Sequence, residues 1–292
     1  MKTSHAVKTL FVSLALLATL CVSNVARATC STGAFYNLYP NGVNTYPVST
    51  VSAAGGWPTG RYIEDFSWAA DNTIIATSSG DELSWLDVTS GTLWAKYYVP
   101  GNPYTMAGWV STASYPAPGF RSVFRISSSG KLVRVASQAV SARIYVTAFH
   151  AQEPGKNFRG AHLFLRYRSE DDYYTASLWT NGDVVVKRQL PTAPCNYVQI
   201  GRVRLKDQTG GRLAGAVNRL ANDPGSNITK NTWYTLTAII TGNQIQVYVG
   251  NIAQFDAPLV DNTSPALTDG LAGFRADWIT ASIDDLSLDD GP

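Results

Sequence analysis

The densest set of groups able to handle a polar ligand lies between residues 159 and 179. From Arg159 to Arg168 the even positions His162, Phe164, Arg166 and Arg168 alternate with Leu163, Leu165 and Tyr167. A few residues on, Tyr173, Thr175, Ser177 and Trp179 alternate with Tyr174, Ala176 and Leu178. A period of two puts each set on its own face of a strand. With the aliphatic sets in a core, the opposite faces form a surface carrying an imidazole, two guanidinium groups, a phenol and an indole. Aromatic faces suit sugar rings, and guanidinium forks match carboxylates or sulfates. The pattern therefore predicts a groove for an anionic polysaccharide. The bland alternative is a solvated face whose arginines offset Glu170, Asp171 and Asp172.

These groups also suggest a reaction. Eliminating across a uronic acid requires a partner for its carboxylate, a base for the C5 proton and a donor for the departing oxygen. His162, Arg166 and Tyr173 are the candidates for base, clamp and donor. Arg168, Trp179, Thr175 and Ser177 would contact substrate, and His150 with Gln152 forms a second candidate pair. Hydrolysis fits less well, because glycosidases generally flank the scissile bond with two carboxyl groups. The four Glu residues (Glu64, Glu82, Glu153, Glu170) form no strand motif with a second acid. Asp171 and Asp172 read as turn residues. Neither a Gly-x-Ser-x-Gly elbow nor a phosphate-binding glycine loop is present, and no pattern calls for an organic cofactor.

The elements that must hold such a surface are strands. Runs rich in Val, Ile, Tyr, Thr and Trp recur between Gly, Asn, Asp and Ser punctuation. The clearest are Ala142 to Phe149, Ala161 to Arg168, Tyr173 to Trp179, Val184 to Gln189, Tyr234 to Ile240 and Gln244 to Val249. Asn181-Gly182 and Gly242-Asn243 mark tight hairpins. A short helical turn is expected near Leu213 to Leu220, and helical periodicity is otherwise absent. Many short strands with few helices predict an all-β sandwich or barrel.

Lys2 and Lys8, an apolar stretch from Leu10 to Val22 and the small-x-small site Ala26-Arg27-Ala28 read as an export signal over residues 1–28. Leu20 before Cys21 is too large for a lipoprotein signal. The expectation is a secreted protein, bacterial and either extracellular or periplasmic. Removing the signal takes Lys2, Lys8 and Arg27 from the 23 basic residues and leaves 20 against 21 acidic, net −1. That balance lacks the basic footprint of a nucleic-acid binder. No apolar run reaches the roughly 18 to 20 residues of a membrane span. Cys30 and Cys195 are then the remaining cysteines, which suggests one disulfide in an exported protein, with two unpaired thiols as the alternative. Residues 29–60 read as an irregular arm and residues 61–292 as one β-sandwich domain.

Several segments resemble the concanavalin A-like jelly-roll superfamily. Gly160-Ala-His-Leu-Phe-Leu-Arg-Tyr-Arg-Ser-Glu-Asp-Asp-Tyr-Tyr174 is similar to its central strand pair, and Asn231-Thr-Trp-Tyr-Thr-Leu236 and Gln244-Ile-Gln-Val-Tyr-Val249 to the strands that follow. Gly270-Leu-Ala-Gly-Phe-Arg275 and Ala281-Ser-Ile-Asp-Asp-Leu-Ser-Leu288 resemble its closing pattern, and Glu64-Asp-Phe66 its opening strand. The resemblance implies a jelly-roll β-sandwich whose relatives include lectins, carbohydrate-binding modules, glycoside hydrolases and polysaccharide lyases. Among these, a lyase acting on an acidic polysaccharide uses Arg, Gln, His and Tyr in the manner described above. The Arg-x-Glu-x-Arg, Gln-x-His and Tyr-x-Lys-x-Gly-x-Tyr signatures of such lyases are absent, so a non-catalytic binding module or lectin stands as the rival. A glycoside hydrolase or a structural surface protein on the same fold is a further alternative. The resemblance also implies a structural calcium ion where the first and last strands meet, with Asp65 and Asp285 as ligands and Glu64 and Asp284 as neighbours.

Overall fold

Short apolar runs cut by Gly, Asn and Asp give strands and tight turns in this chain. The computed structural model describes residues 61–64, 71–77, 86–98, 106–112, 119–124, 136–151, 159–169, 171–191, 197–206 and 228–289, with the isolated positions 66, 69 and 211. Every regular element among them is a β-strand. The arm at 29–60, both cysteines, Gln152, Asp65 and the expected turn at 213–220 lie outside the described residues.

One antiparallel sheet holds β1 (Arg61–Glu64), β2 (Thr73–Thr77), β4 (Thr92–Tyr97), β5 (Met106–Ser111), β7 (Gln138–Phe149), β12 (Trp233–Thr241), β13 (Gln244–Val249), β14 (Ile252–Ala253), β15 (Leu259–Val260) and β17 (Ile279–Asp289). Its main order is β14-β13-β12-β7-β17-β5-β4-β2, with β1 on β17 and β15 on β13. The other sheet holds β3 (Leu86–Ser90), β6 (Phe120–Phe124), β8 (Gly160–Ser169), β9 (Asp172–Trp179), β10 (Asp183–Gln189), β11 (Tyr197–Arg204) and β16 (Leu271–Asp277), in the order β11-β10-β9-β8-β16-β6-β3. Together they form the jelly-roll sandwich that the resemblance implied. Both expected hairpins are present, with Gly182 at φ 78° and Gly242 at φ 57°. Such angles cost glycine nothing, because it has no Cβ. Asn181 supports the first turn by accepting the Asp183 N–H at 3.0 Å.

The core lies between the sheets. Val140, Ala142, Ile144 and Val146 of β7 meet Leu163, Leu165, Tyr174 and Ala176 in one buried cluster. Each fully buried aliphatic side chain contributes roughly 1.5–3 kcal/mol. β7 carries a half-exposed mixture of Ser141, Arg143, Tyr145 and Thr147 on its other face, whereas β8, β9 and β16 are buried on both faces for most of their length.

A bulge in β8 corrects the sequence reading. Pairing with β9 runs from Gly160↔Trp179 to Leu165↔Tyr174 and resumes only at Ser169↔Asp172. Arg166, inside the gap, has φ 48°. Against β16 the strand advances three residues, Phe164 to Tyr167, for two of its partner. This one extra residue moves the later side chains to the opposite face. Tyr167 therefore joins Phe164 and Tyr173, with ring centroids 5.0–5.6 Å apart. Arg166 is buried instead of facing a groove, and its guanidinium donates to the carbonyls of Ala136 (2.8 Å) and Gly242 (2.7 Å) and to that of Leu267. It ties the bulge to the β12–β13 turn. Gln138 completes the arrangement: its Oε1 accepts the Arg166 N–H at 2.9 Å, and its Nε2 donates to Gly270 O at 2.6 Å.

Gly270 packs directly on this bulge, and a Cβ there would stand 2.3 Å from the Arg166 carbonyl carbon. Backbone cannot yield as a flexible side chain would. Gly270→Ala is therefore expected to lower the unfolding free energy by about 1–3 kcal/mol in urea melts. An unchanged midpoint would contradict this reading of the bulge.

Candidate functional site

Alternation turns Tyr173, Thr175, Ser177 and Trp179 of β9 away from the core. They share that outer face with His162 of β8, Lys187 of β10, Tyr197 of β11, and Arg275 and Asp277 of β16. These nine side chains line a shallow, partly open recess with little enclosed space. Strand register sets the arrangement: Arg275 pairs with His162, and His162 with Ser177, in one row across three strands.

Electrostatics at the pocket floor centre on Asp277. Its Oδ2 lies 2.6 Å from Arg275 Nε and 3.3 Å from His162 Nε2, all three side chains being at most 11% exposed. The His162 contact is in ion-pair range without hydrogen-bond alignment. Burial alone would raise the Asp277 carboxyl, yet the Arg275 charge and the His162 contact hold it well below the usual carboxylate range. Burial likewise opposes the Arg275 charge, and Asp277 outweighs it. His162 is governed by burial, which pushes its imidazole below the ordinary value against the pull of Asp277. Its Nδ1 is 2.8 Å from Ser177 Oγ, while its Nε2 faces Asp277 without a hydrogen bond.

The aromatic groups divide between floor and mouth. Tyr173 is 4% exposed and Trp179 2%, whereas Tyr197 is 39% exposed. Burial, then the neighbouring Tyr197, pushes the Tyr173 phenol far above its usual range. Lys187 Nζ and the Arg202 guanidinium lie 4.7 and 5.1 Å from the Trp179 ring centroid. Trp179 is thus enclosed by cations, and Tyr197 is the accessible aromatic surface. The buried Trp179 Nε1–H has no acceptor among the described residues. Beside the pocket, Arg202 and Arg204 clamp Asp183 and, against the effect of burial, hold its carboxyl low.

Five sequence candidates meet here: His162, Tyr173, Thr175, Ser177 and Trp179. Arg166 and Arg168 do not. Arg168 donates to the Asp269 carboxylate at 2.8 Å, beyond the bulge that redirected both arginines. His150 belongs to the other sheet, with Nε2 2.8 Å from Thr280 Oγ1. The calcium expectation finds a poor donor set in the part described. Asp285 Oδ2 accepts from Arg143 Nη1 at 3.0 Å, and Asp284 Oδ2 is 3.4 Å from the same nitrogen.

Lys187, Tyr197, Arg275 and Asp277 are the lining residues that sequence reasoning missed. Three had a signal: with Val184, Val186, Phe274 and Ala276 inward, Lys187, Arg275 and Asp277 must face outward. Tyr197 had none, because its position depends on β11 pairing with β10.

No protein-family model matches the chain, and no curated protein matches it. Among solved structures it is similar to a carbohydrate-binding module from Bacillus subtilis, at 12% identity and TM-score 0.45, covering 70% of this chain and 94% of that one. Domain 4 of an extracellular arabinanase from Geobacillus stearothermophilus, solved with arabinotriose, gives 13% and 0.43, covering 76% and 94%. A Caenorhabditis elegans galectin gives 15% and 0.31, covering 53% and 82%. Scores this low carry no argument about function. The sandwich stands on its own two sheets.

His162 makes stability depend on pH. Its folded-state pKa is depressed, so folding favours the neutral ring. That contribution is fully present above the unfolded value of about 6.5 and is lost as pH falls below it. The unfolding free energy should fall between about pH 7 and pH 5, and His162→Gln should flatten the slope. His150 shifts in the same direction but is present in both proteins. Parallel slopes in urea melts of the two proteins would contradict the assignment.

Proposed function

We propose that this protein recognises an acidic polysaccharide on the outer face of the seven-stranded sheet. The observation that carries the reading is the pocket's charge. Arg275 and Lys187 line it with a single carboxylate, Asp277, and with a His162 whose pKa is lowered by burial. The local balance is positive on a chain whose mature composition is nearly neutral. A uronate carboxylate or a sulfate suits this setting. The unpartnered Trp179 Nε1–H supports the same ligand, because a buried donor gains most from an anionic acceptor. Tyr197 at the mouth offers a ring face to the sugar. Hydrolysis by paired carboxylates has little support, since the one carboxylate lining the pocket among the described residues is held by Arg275.

A lyase is the second reading, favoured by two phenols, Tyr173 and Tyr197, lining the same recess as Arg275. In that chemistry Arg275 would face the uronate carboxylate. Tyr197, as its phenolate, would take the C5 proton, and the C5–H electrons would form the C4=C5 double bond. The C4–O bond would break as the Tyr173 phenol gives its proton to the departing oxygen. His162 suits the base role less well, being buried, with Nδ1 against Ser177 Oγ and Nε2 facing the Asp277 carboxylate.

Affinity gels containing alginate, polyglucuronate or pectate test the proposal. The wild type should be retarded by at least one of them, and Lys187→Gln should weaken binding by about tenfold, or 1.4 kcal/mol. Migration unaffected by every acidic polymer, or retardation identical in Lys187→Gln, would contradict it. Ultraviolet absorbance of the same mixtures separates the readings. A rise that Tyr197→Phe abolishes means elimination, and binding with a flat trace means recognition alone.

A further inference from the structure

The opposite face of the sandwich carries an aromatic stripe that the pocket does not use. Strand register lines up Trp233 with Tyr145, Tyr145 with Ser282, Ser282 with Trp109 and Trp109 with Trp94. These positions alternate with core residues such as Ile144, Leu236, Ile283 and Val110, so they point outward from the ten-stranded sheet. The four rings are partly exposed, and the small Ser282 sits between two of them. Trp233 and Tyr145 are 5.2 Å apart, and Tyr98 packs against both at 5.0 and 5.8 Å. At about 4.8 Å between strands, the row is roughly 19 Å long and one residue wide.

Hydrogen-bonding groups border it on both sides. Thr280 is linked there to Ser111 at 3.0 Å and to His150 at 2.8 Å. On the other side Arg143 pairs with Asp284 and Asp285 and lies over the Trp233 ring at 4.6 Å. Lys96 Nζ lies over that of Trp109 at 3.6 Å, so each of these rings already carries a cation on one face. Along that border two cations meet two carboxylates, and beyond the other border Arg159 and Lys230 lie at Phe149.

From this geometry we infer that the stripe is a second glycan site, taking a single extended chain of a neutral polysaccharide. Sugar rings present C–H faces and hydroxyl edges, which match a row of aromatic rings between polar borders. Asp284 and Asp285 already pair with Arg143 alongside Trp233, so an acidic chain gains little there. A second copy of the protein is the poorer occupant, because a strip one residue wide is far smaller than the roughly 800 Å² per partner of a stable interface. The carboxylates on the border oppose an anionic membrane surface. Pocket and stripe lie on opposite outer faces, so one can bind without the other.

The test uses the full chain in affinity gels of soluble β-glucan, xyloglucan and galactomannan, with indole fluorescence titrations beside them. At least one polymer should retard the wild type and shift its fluorescence. Trp109→Ala and Trp233→Ala should each weaken that binding by about tenfold or more, while Lys187→Gln in the pocket leaves it unchanged. Thermal melts check that the variants fold, and the wild-type fluorescence shift needs no variant. No response to any neutral polymer would overturn the inference, as would binding lost in Lys187→Gln and kept in Trp109→Ala. A wild-type dimer abolished by Trp109→Ala would assign the stripe to self-association and overturn it too.

Discussion

The buried contact between Arg275 and Asp277 is the interaction on which the pocket depends. Taking both charges out of water is costly, and an ion pair in such a place is weak evidence for stability. It does fix the electrostatics of its surroundings. Asp277 stays ionised, Arg275 stays charged, and His162 between Asp277 and Ser177 is driven toward its neutral form. With Lys187 added, the result is a polar, positively biased floor in a sheet otherwise packed with aliphatic and aromatic side chains. Residues of this kind persist on such a surface most readily when a ligand shares their solvation.

Strand alternation delivers these groups to one place. Phe274 and Ala276 enter the core, so Arg275 and Asp277 cannot. Leu163 and Leu165 do the same for His162, and Tyr174, Ala176 and Leu178 for the outward residues of β9. The same rule on the ten-stranded sheet sends Trp94, Trp109, Tyr145 and Trp233 outward in register. Each sheet thus presents a chemically different outer face, one charged and recessed, the other aromatic and bordered by paired charges. The bulge at Arg166 ends the groove-facing row of β8, so that Phe164, Tyr167 and Tyr173 close one end of it with packed rings.

Much of the framework was legible in the sequence because alternation and turn chemistry are local. The strands around residues 142–149, 161–168, 173–179, 184–189, 234–240 and 244–249 are all present, with both glycine hairpins. The strands before residue 125 are short and their apolar runs brief, so composition alone did not mark them. Five outward residues of the site followed from period two. Arg166 and Arg168 did not, because a bulge at a non-glycine residue with positive φ leaves no compositional mark. Tyr197 depends on sheet order, a long-range property that no local pattern encodes. Nor did the spacing of Trp94, Trp109 and Trp233 announce a stripe, since strands distant in sequence bring them together.

The most direct measurement is a nuclear magnetic resonance titration of the protein with a defined uronic acid oligosaccharide. It would follow the Trp179 Nε1–H and Arg275 Nε–H signals, the former assigned through Trp179→Phe. A carboxylate entering the pocket gives the Trp179 indole an acceptor and meets the Arg275 guanidinium. Both signals should therefore move together and saturate at one ligand per chain. A saturating titration that leaves both unmoved, with shifts confined to other surfaces, would contradict the assignment of this pocket as the acidic-glycan site.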